Sequence, residues 1–365
     1  MERNTDSIVA YLQTFLPRSR CLALARGQAL PVFTEGIGLF ADISGFTPLA
    51  ESLNQGLGDS RQGAEVLTRL INSVFEALIT QVMRFNGDVL GFAGDAMLCW
   101  FADATPATVL TCALALQREM EAFAAVADPT GKSHTLTLKV GLAAGSARRL
   151  QAGAPECGLF EILAGATILR VVEAEHHAQK GEIIVAPEMV AAVNTAATWG
   201  ESREGFRPLL ALADHVRVAP GEVTPLPEMS IETLQPYFPP DLFTWLSGAQ
   251  GQLQAELRPV VSAFVRFEGL DYAHDPEVAE KLNAYVTLLQ RSAAQYGGNL
   301  MRLDFGDKGN TAHVIFGAPV AHEDDEVRSV GWILAAQAAV QELPFITGQT
   351  IGATRGQVYA GVLGG

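Results

Sequence analysis

The sequence predicts an α+β protein made of two ferredoxin-like βαββαβ units in tandem, and three observations carry that prediction. The same order of apolar and helix-period segments occurs twice along the chain. The copies keep one spacing: Gly87 and Gly298 lie 211 residues apart, as do Gly141 and Gly352. Self-similarity at a constant offset is the mark of a duplicated structural unit. Composition agrees, since 48% of the 365 residues are apolar and 18% charged, the balance of a chain that buries a core.

In the first copy an apolar run over 37–43 reads as a strand, and 64–84 has the spacing of an amphipathic helix. Asn86-Gly87-Asp88 marks a turn into a short strand pair ending at Leu98-Cys99-Trp100-Phe101. A second helix is predicted over 107–123 and a strand over 136–144. The second copy repeats this with a strand over 260–267, a helix over 278–295 and a turn at Gly297-Gly298-Asn299. A strand over 312–316, a helix over 325–341 and a strand over 349–354 complete it. This order puts both helices on one face of a sheet and leaves the other face free.

Four segments follow from this reading: an N-terminal helical segment (1–30), a first domain (31–199), a linker (200–257) and a second domain (258–365). The linker carries Pro208, Pro220, Pro225, Pro227, Pro236, Pro239 and Pro240, with one short helix expected over 241–246. Such a tether makes pairing of the copies intramolecular. The second copy reaches only Gly361-Val362-Leu363-Gly364-Gly365, whereas the first continues past Arg149-Leu150-Gln151 to Pro187, so the second is read as incomplete.

The net charge of −15, with no Lys/Arg run, speaks against nucleic acid or an anionic membrane as partner. Cys21, Cys99, Cys112 and Cys157 have neither zinc spacing nor the density of a disulfide framework, which fits a reducing compartment. The N-terminus lacks a basic stretch followed by an apolar one, and no run reads as the roughly 20 apolar residues of a membrane helix. The expectation is a soluble cytoplasmic protein with no transmembrane segment.

Phe40-Ala41-Asp42-Ile43-Ser44-Gly45-Phe46-Thr47 places a carboxylate at a strand end, before a small-residue turn into a helix whose amides can face phosphate. Phe92-Ala93-Gly94-Asp95-Ala96 has a second carboxylate at a hairpin turn, and adjacent strands would bring Asp42 and Asp95 together. Two carboxylates and a nearby carbonyl suit Mg²⁺, with Mn²⁺ as a substitute, and two such ions activate an attacking oxygen and hold a triphosphate. Taken singly, Asp42 reads as a helix-start residue and Asp95 as a turn residue; taken together they favour the metal. His322-Glu323-Asp324-Asp325 reads as the acidic start of a helix, and His176-His177 as a solvated helix face.

These motifs, with Asn86-Gly87-Asp88-Val89-Leu90, Lys139-Val140-Gly141-Leu142-Ala143-Ala144-Gly145 and Gly165, resemble class III nucleotidyl cyclases. The nearest branch is the soluble, bicarbonate-responsive adenylyl cyclases and their bacterial relatives, which Gln235-Pro236-Tyr237-Phe238-Pro239-Pro240 and Ala255-Glu256-Leu257-Arg258-Pro259-Val260 also resemble. In the second copy the likeness rests on Asp304-Phe305-Gly306-Asp307-Lys308-Gly309-Asn310, Phe316-Gly317-Ala318-Pro319 and the acidic helix start.

The resemblance implies two cyclase domains paired pseudo-symmetrically, head to tail, forming 3′,5′-cyclic AMP and pyrophosphate from ATP at their interface. Asp42, Asp95 and the Ile43 carbonyl would hold two Mg²⁺ ions, and Ser44, Gly45, Phe46 and Thr47 would cradle the β- and γ-phosphates. Lys139 would face the triphosphate, its other reading being a solvated strand-edge lysine. Arg302, with Asp304 two residues on, stands where adenylyl cyclases place a base-reading Lys; its other reading is a surface strand residue.

Arg266 stands where the first copy has Asp42, and Gly306 at the offset of Asp95, which fits one catalytic centre and one degenerate pocket, and equally a decayed duplicate. Gly91 and Val172 replace a Lys and an Arg of the bicarbonate-regulated members, which speaks against bicarbonate activation. The Asn and Arg that stabilise the transition state would follow Gly365, so the chain alone is expected to be weak or inactive. The alternatives are a guanylyl cyclase on the same fold and a non-catalytic nucleotide-binding module of a larger signalling protein.

Overall fold

The computed structural model describes residues 2–56, 60–128, 131–248, 256–306 and 309–361. Ala255, Asp307, Lys308 and residues 362–365, named above, lie outside the described residues.

The elements run α1 (Glu2–Gln13), α2 (Arg18–Ala25), β1 (Phe33–Ser44), α3 (Phe46–Gly56), α4 (Ser60–Arg84), β2 (Asp88–Ala93), β3 (Ala96–Ala102) and α5 (Pro106–Met120). Then come β4 (Val126–Ala127), β5 (Ser133–His134), β6 (Thr137–Ala152), β7 (Phe160–Ala164), α6 (Ala166–His176), β8 (Ile183–Val185) and α7 (Pro187–Val193). Next are β9 (Ala197–Trp199), β10 (Arg207–Leu212), α8 (Ile231–Leu234) and α9 (Pro240–Gly248). The chain closes with β11 (Glu256–Glu268), α10 (Val278–Gln295), β12 (Gly298–Gly306), β13 (Gly309–Phe316), α11 (Asp325–Ala339) and β14 (Gly348–Ala360).

Two larger sheets form. The first has the order β2-β3-β1-β6-β8-β10-β9 with β7 beside β6, and the second β12-β13-β11-β14. The inner order β2-β3-β1-β6 is that of the second sheet, so the repeat legible in the sequence is a repeat of topology.

Alternation on β1 buries Ile37, Leu39, Ala41 and Ile43 against Val74, Phe75, Leu78 and Val82 of α4 and Val109, Leu110, Ala113 and Leu116 of α5. These are the period-2 and period-3.6 faces of strand and helix meeting. Helix α5 starts where Thr105 accepts from the Thr108 N–H, with Pro106 in its first turn. It ends at Met120, short of the expected 123, where a 3-10 turn takes over. Helix α11 likewise ends at Ala339 and passes into a 3-10 turn, short of 341. In the second unit Val261, Ala263, Val265 and Phe267 pack with Leu282, Tyr285, Val286 and Leu289 of α10 and Trp332 and Ala336 of α11.

The units share part of this second core. Leu150, Ala152, Ile162 and Ala164 of β6 and β7 belong to it. The Gly153 N–H donates to Asn283 Oδ1 (2.9 Å), the Ala154 N–H to Gln290 Oε1 (2.8 Å), and Gln290 Nε2 to the Gly158 carbonyl (2.6 Å).

Three expectations are corrected. Residues 200–257 hold a strand as well as the expected short helix: β10 pairs with β8 and β9. Pro208 sits there with no N–H to donate, and its carbonyl accepts from the Gly200 N–H at 2.8 Å. Nor does this span run free, because Leu234, Phe238 and Leu246 pack with Val9 and Leu12 of α1. Finally, Gly63–Arg84 of α4 is, by length and composition, apolar enough to cross a membrane. Its apolar stripe is the one that covers the first sheet.

The four cysteines are free, three of them buried. Asp88 of the Asn-Gly-Asp turn anchors the N-terminal segment: its carboxylate accepts from the Arg18 N–H (2.6 Å) and the Ser19 N–H (3.1 Å) at the start of α2. Burial raises its pKa, against which those bonds work.

Candidate active site

Asp42, near the end of β1, lies opposite Ala96 on β3 and Lys139 on β6. Asp95 occupies the two-residue turn between β2 and β3 with Gly94, whose φ of +68° suits glycine. The Ile43 N–H donates to the Asp95 carbonyl at 3.1 Å, which ties the turn to the strand end. Burial, with the charge of Asp42 as a further cause, raises the Asp95 pKa. The two carboxylates therefore sit within electrostatic reach, an arrangement that a bound cation relieves.

No group of three or more His, Cys, Asp or Glu side chains that would hold a metal occurs among the described residues. A two-carboxylate site still fits Mg²⁺, which takes one or two carboxylates and completes its octahedron with phosphates and water. The Ile43 side chain is buried in the core, so only its main chain is available to a ligand.

Gly45 turns the chain from β1 into α3 with φ +113°, and a Cβ there would lie 2.5 Å from the Thr135 carbonyl oxygen. Phe46 begins α3 and is buried with Leu49 and Leu53, so it offers its amide and not its ring. Thr47 is exposed. The first-turn amides of such a helix have no intrahelical acceptor.

Lys139 is not at a sheet edge, because β6 runs between β1 and β8. Its ammonium lies 3.2 Å from Asp42 Oδ2 and hydrogen-bonds Glu175 of α6. Burial works against the charge, yet the bonds and charges of Glu175 and Asp42 outweigh it and hold the pKa above the usual lysine value. Glu175 is 4% exposed and was not singled out from the sequence. The signal was there: it stands four residues after Val171 on the buried stripe of α6, where an unpaired acid is costly.

Arg302 pairs with His313 after a register shift between Leu300 and Arg302; the first unit has the same irregularity between Val89 and Gly91. Gly91 and Arg302 are thus matched by backbone as well as by offset. Arg302 Nε donates to Asp304 Oδ2 at 2.8 Å. Among the described residues no hydrogen bond or ion pair joins either to Asp42, Asp95 or Lys139.

Arg266 lies opposite Thr311 and Thr350, as Asp42 lies opposite Ala96 and Lys139, and its guanidinium pairs with exposed Glu268 at 3.0 Å. Gly306 is not a turn residue, for the second hairpin extends to the pairs Phe305 with Asn310 and Gly306 with Gly309. A cavity of about 400 Å³ between the units is lined by Gly165, Ile168 and Leu169 with Leu270, Tyr272 and Phe305, and neither Asp42 nor Asp95 reaches it.

His313 stacks on Phe264 (4.2 Å between ring centres) and meets Ser262 Oγ at 2.6 Å. Burial, and then the Arg302 charge, push its pKa down to about 4. The fold therefore favours neutral imidazole, and its contribution is complete above the unfolded value near 6.5. Stability is expected to fall as pH drops from about 6.5 towards about 4, because the unfolded chain takes the proton first. Denaturation midpoints against pH should show this slope, and His313→Asn should flatten it.

No protein-family model matches the chain. In sequence it is similar to adenylate cyclase type 10 of Rattus norvegicus, 25% identical over 374 residues covering 90% of this chain. The adenylate cyclase type 10 of Homo sapiens is 24% identical over 91% of it. A class III adenylyl cyclase-like ATP-binding protein from Pseudomonas aeruginosa shares the fold over 98% of this chain and 83% of its own, with a TM-score of 0.54 at 12% identity. These likenesses support the resemblance to class III cyclases of the soluble adenylyl cyclase branch.

The chain spans 22% of the length of those curated relatives. The class III fold is here an α+β arrangement with two cyclase-like sheets.

Proposed function

We propose that this chain carries the metal-binding half of an adenylyl cyclase site that forms 3′,5′-cyclic AMP and pyrophosphate from ATP in intracellular, cytoplasmic signalling. One observation supports the reading above others: Asp42 at the end of β1 lies near enough to the Asp95 turn for its charge to help raise the Asp95 pKa, while the matched position in the second unit carries Arg266. Asp42, Asp95 and the Ile43 carbonyl would hold two Mg²⁺ ions, whose charge eases deprotonation of the ribose 3′-hydroxyl and stabilises the phosphates.

The amides from Ser44 to Thr47 orient the β- and γ-phosphates, and Lys139 adds a positive charge beside them. In-line attack forms the bond from the 3′ oxygen to the α-phosphorus and breaks its bond to the bridging oxygen; pyrophosphate takes that electron pair, and the hydroxyl proton passes to solvent. Arg302 donates to the acceptor nitrogen of adenine, which supports ATP over GTP. In this reading, pairing of the two units would bring Arg302 to the nucleotide, and their closure would exclude water.

Purified chain incubated with Mg²⁺ or Mn²⁺ and either ATP or GTP, with products separated by chromatography, tests this. The expected result is slow cyclic AMP formation that exceeds cyclic GMP. A larger yield of cyclic GMP would overturn the base assignment. A second reading is a nucleotide-binding module without turnover, favoured by the likeness over 98% of the chain to a protein described as cyclase-like and ATP-binding. It predicts metal-dependent ATP binding and no cyclic product.

A further inference from the structure

We infer that Glu175 is a positioning residue for Lys139, giving the ammonium a fixed seat so that Asp42 can exchange it for a divalent cation. The inference rests on the metal reading above and concerns a residue that reading does not use.

Lys139 has two anions within reach. Asp42 lies across the strand pair on β1, and Glu175 lies above on α6. Glu175 is the buried member, and its main chain is fixed by a close approach that only glycine permits. A Cβ on Gly141, two residues after Lys139 on the same face of β6, would lie 2.4 Å from the Glu175 nitrogen and from the Val171 carbonyl oxygen. A Cβ on Gly38 of β1 would lie 2.5 Å from Val171 Cγ2. Two glycines on neighbouring strands therefore let α6 settle onto the sheet, and its last turn delivers Glu175 to Lys139.

The charges give this seat a purpose. A divalent cation at Asp42 must displace the ammonium and then repels it. With Glu175 in place, Lys139 keeps a partner after the exchange, and Glu175 is never left as an uncompensated buried carboxylate. Without Glu175, the ammonium has only Asp42 to pair with and competes directly with the metal. The second unit, which has Arg266 and Thr350 in place of Asp42 and Lys139, has no such exchange to make.

Mn²⁺ binding to the whole chain, followed by electron paramagnetic resonance of the free ion with no nucleotide present, tests this apart from turnover. Glu175→Gln should weaken Mn²⁺ binding roughly tenfold. Adding Lys139→Met to that variant should restore affinity to within about twofold of wild type, since the competitor is gone. Unchanged affinity in Glu175→Gln overturns the proposal, as does a double variant that stays weak.

A metal-free measurement separates this from the metal reading itself. Acylation of Lys139, followed by mass spectrometry, should be slow in wild type and faster in Glu175→Gln. Equal rates show that Glu175 does not hold the ammonium and sink the proposal on their own. Asp42→Asn binding Mn²⁺ as tightly as wild type would instead remove the metal reading.

Discussion

Asp42→Asn and Asp95→Asn should each bring the slow cyclic nucleotide formation down to background while the chain stays folded. Asparagine keeps the shape of the side chain and removes its charge, so the strand pairs of Asp42 with Ala96 and Lys139 survive. What is lost is the anionic oxygen a hard cation needs. The two variants should differ in stability. Asp95 has a raised pKa, so at neutral pH its ionised form costs the fold some free energy, and Asp95→Asn should be as stable as wild type or slightly more so. Asp42→Asn gives up the 3.2 Å contact to Lys139, which retains Glu175, so its loss should be small. Product assays and thermal melts on the same samples read both effects; full activity in either variant would falsify the metal site.

The second large effect comes from one substitution made at two matched positions. Gly141 lies opposite Phe40, and Gly352 opposite Phe264, in sheets of the same inner order. Gly141→Ala drives a methyl into the backbone of α6, where neither the Val171 carbonyl nor the Glu175 amide can give way without lifting the helix. A loss of about 3 kcal/mol or more, or failure to fold, is expected. At Gly352 a Cβ meets nothing within 4 Å, and Phe264 beside it is 46% exposed. Gly352→Ala should fall within about 0.5 kcal/mol of wild type, since alanine also suits a strand better than glycine. Urea unfolding of both variants decides the matter. Equal losses would mean that the close approach of α6 is not why Gly141 is glycine.

Much of the fold was legible because its signals are local. The run 37–43, the 3.6-residue spacing over 64–84 and the constant offset each depend on neighbours in sequence, and they correspond to β1, α4 and the repeated strand order. The ends of α5 and α11 were less legible, because a 3-10 turn continues the helical spacing past the last α-helical turn. β10 was hidden for another reason. Proline marks loops by its missing donor, yet Pro208 stands in a strand that pairs with β8 over only two residue pairs, and its carbonyl still accepts from the Gly200 amide.

The candidate site divides along the same line. Sequence alone singled out the residues to which the proposal gives chemistry: two carboxylates, one before a glycine turn and one in a hairpin, and a second copy with Arg266 in place of the first. Tertiary structure decided what those residues touch. That Lys139 faces Asp42 and Glu175, that Gly141 is a seat for α6, and that Gly306 is a strand residue all follow from packing between distant segments. The physical reason is that residue type and spacing act over a turn or a strand, whereas charge pairing and steric fit act through space, between groups whose separation along the chain carries no mark of their meeting.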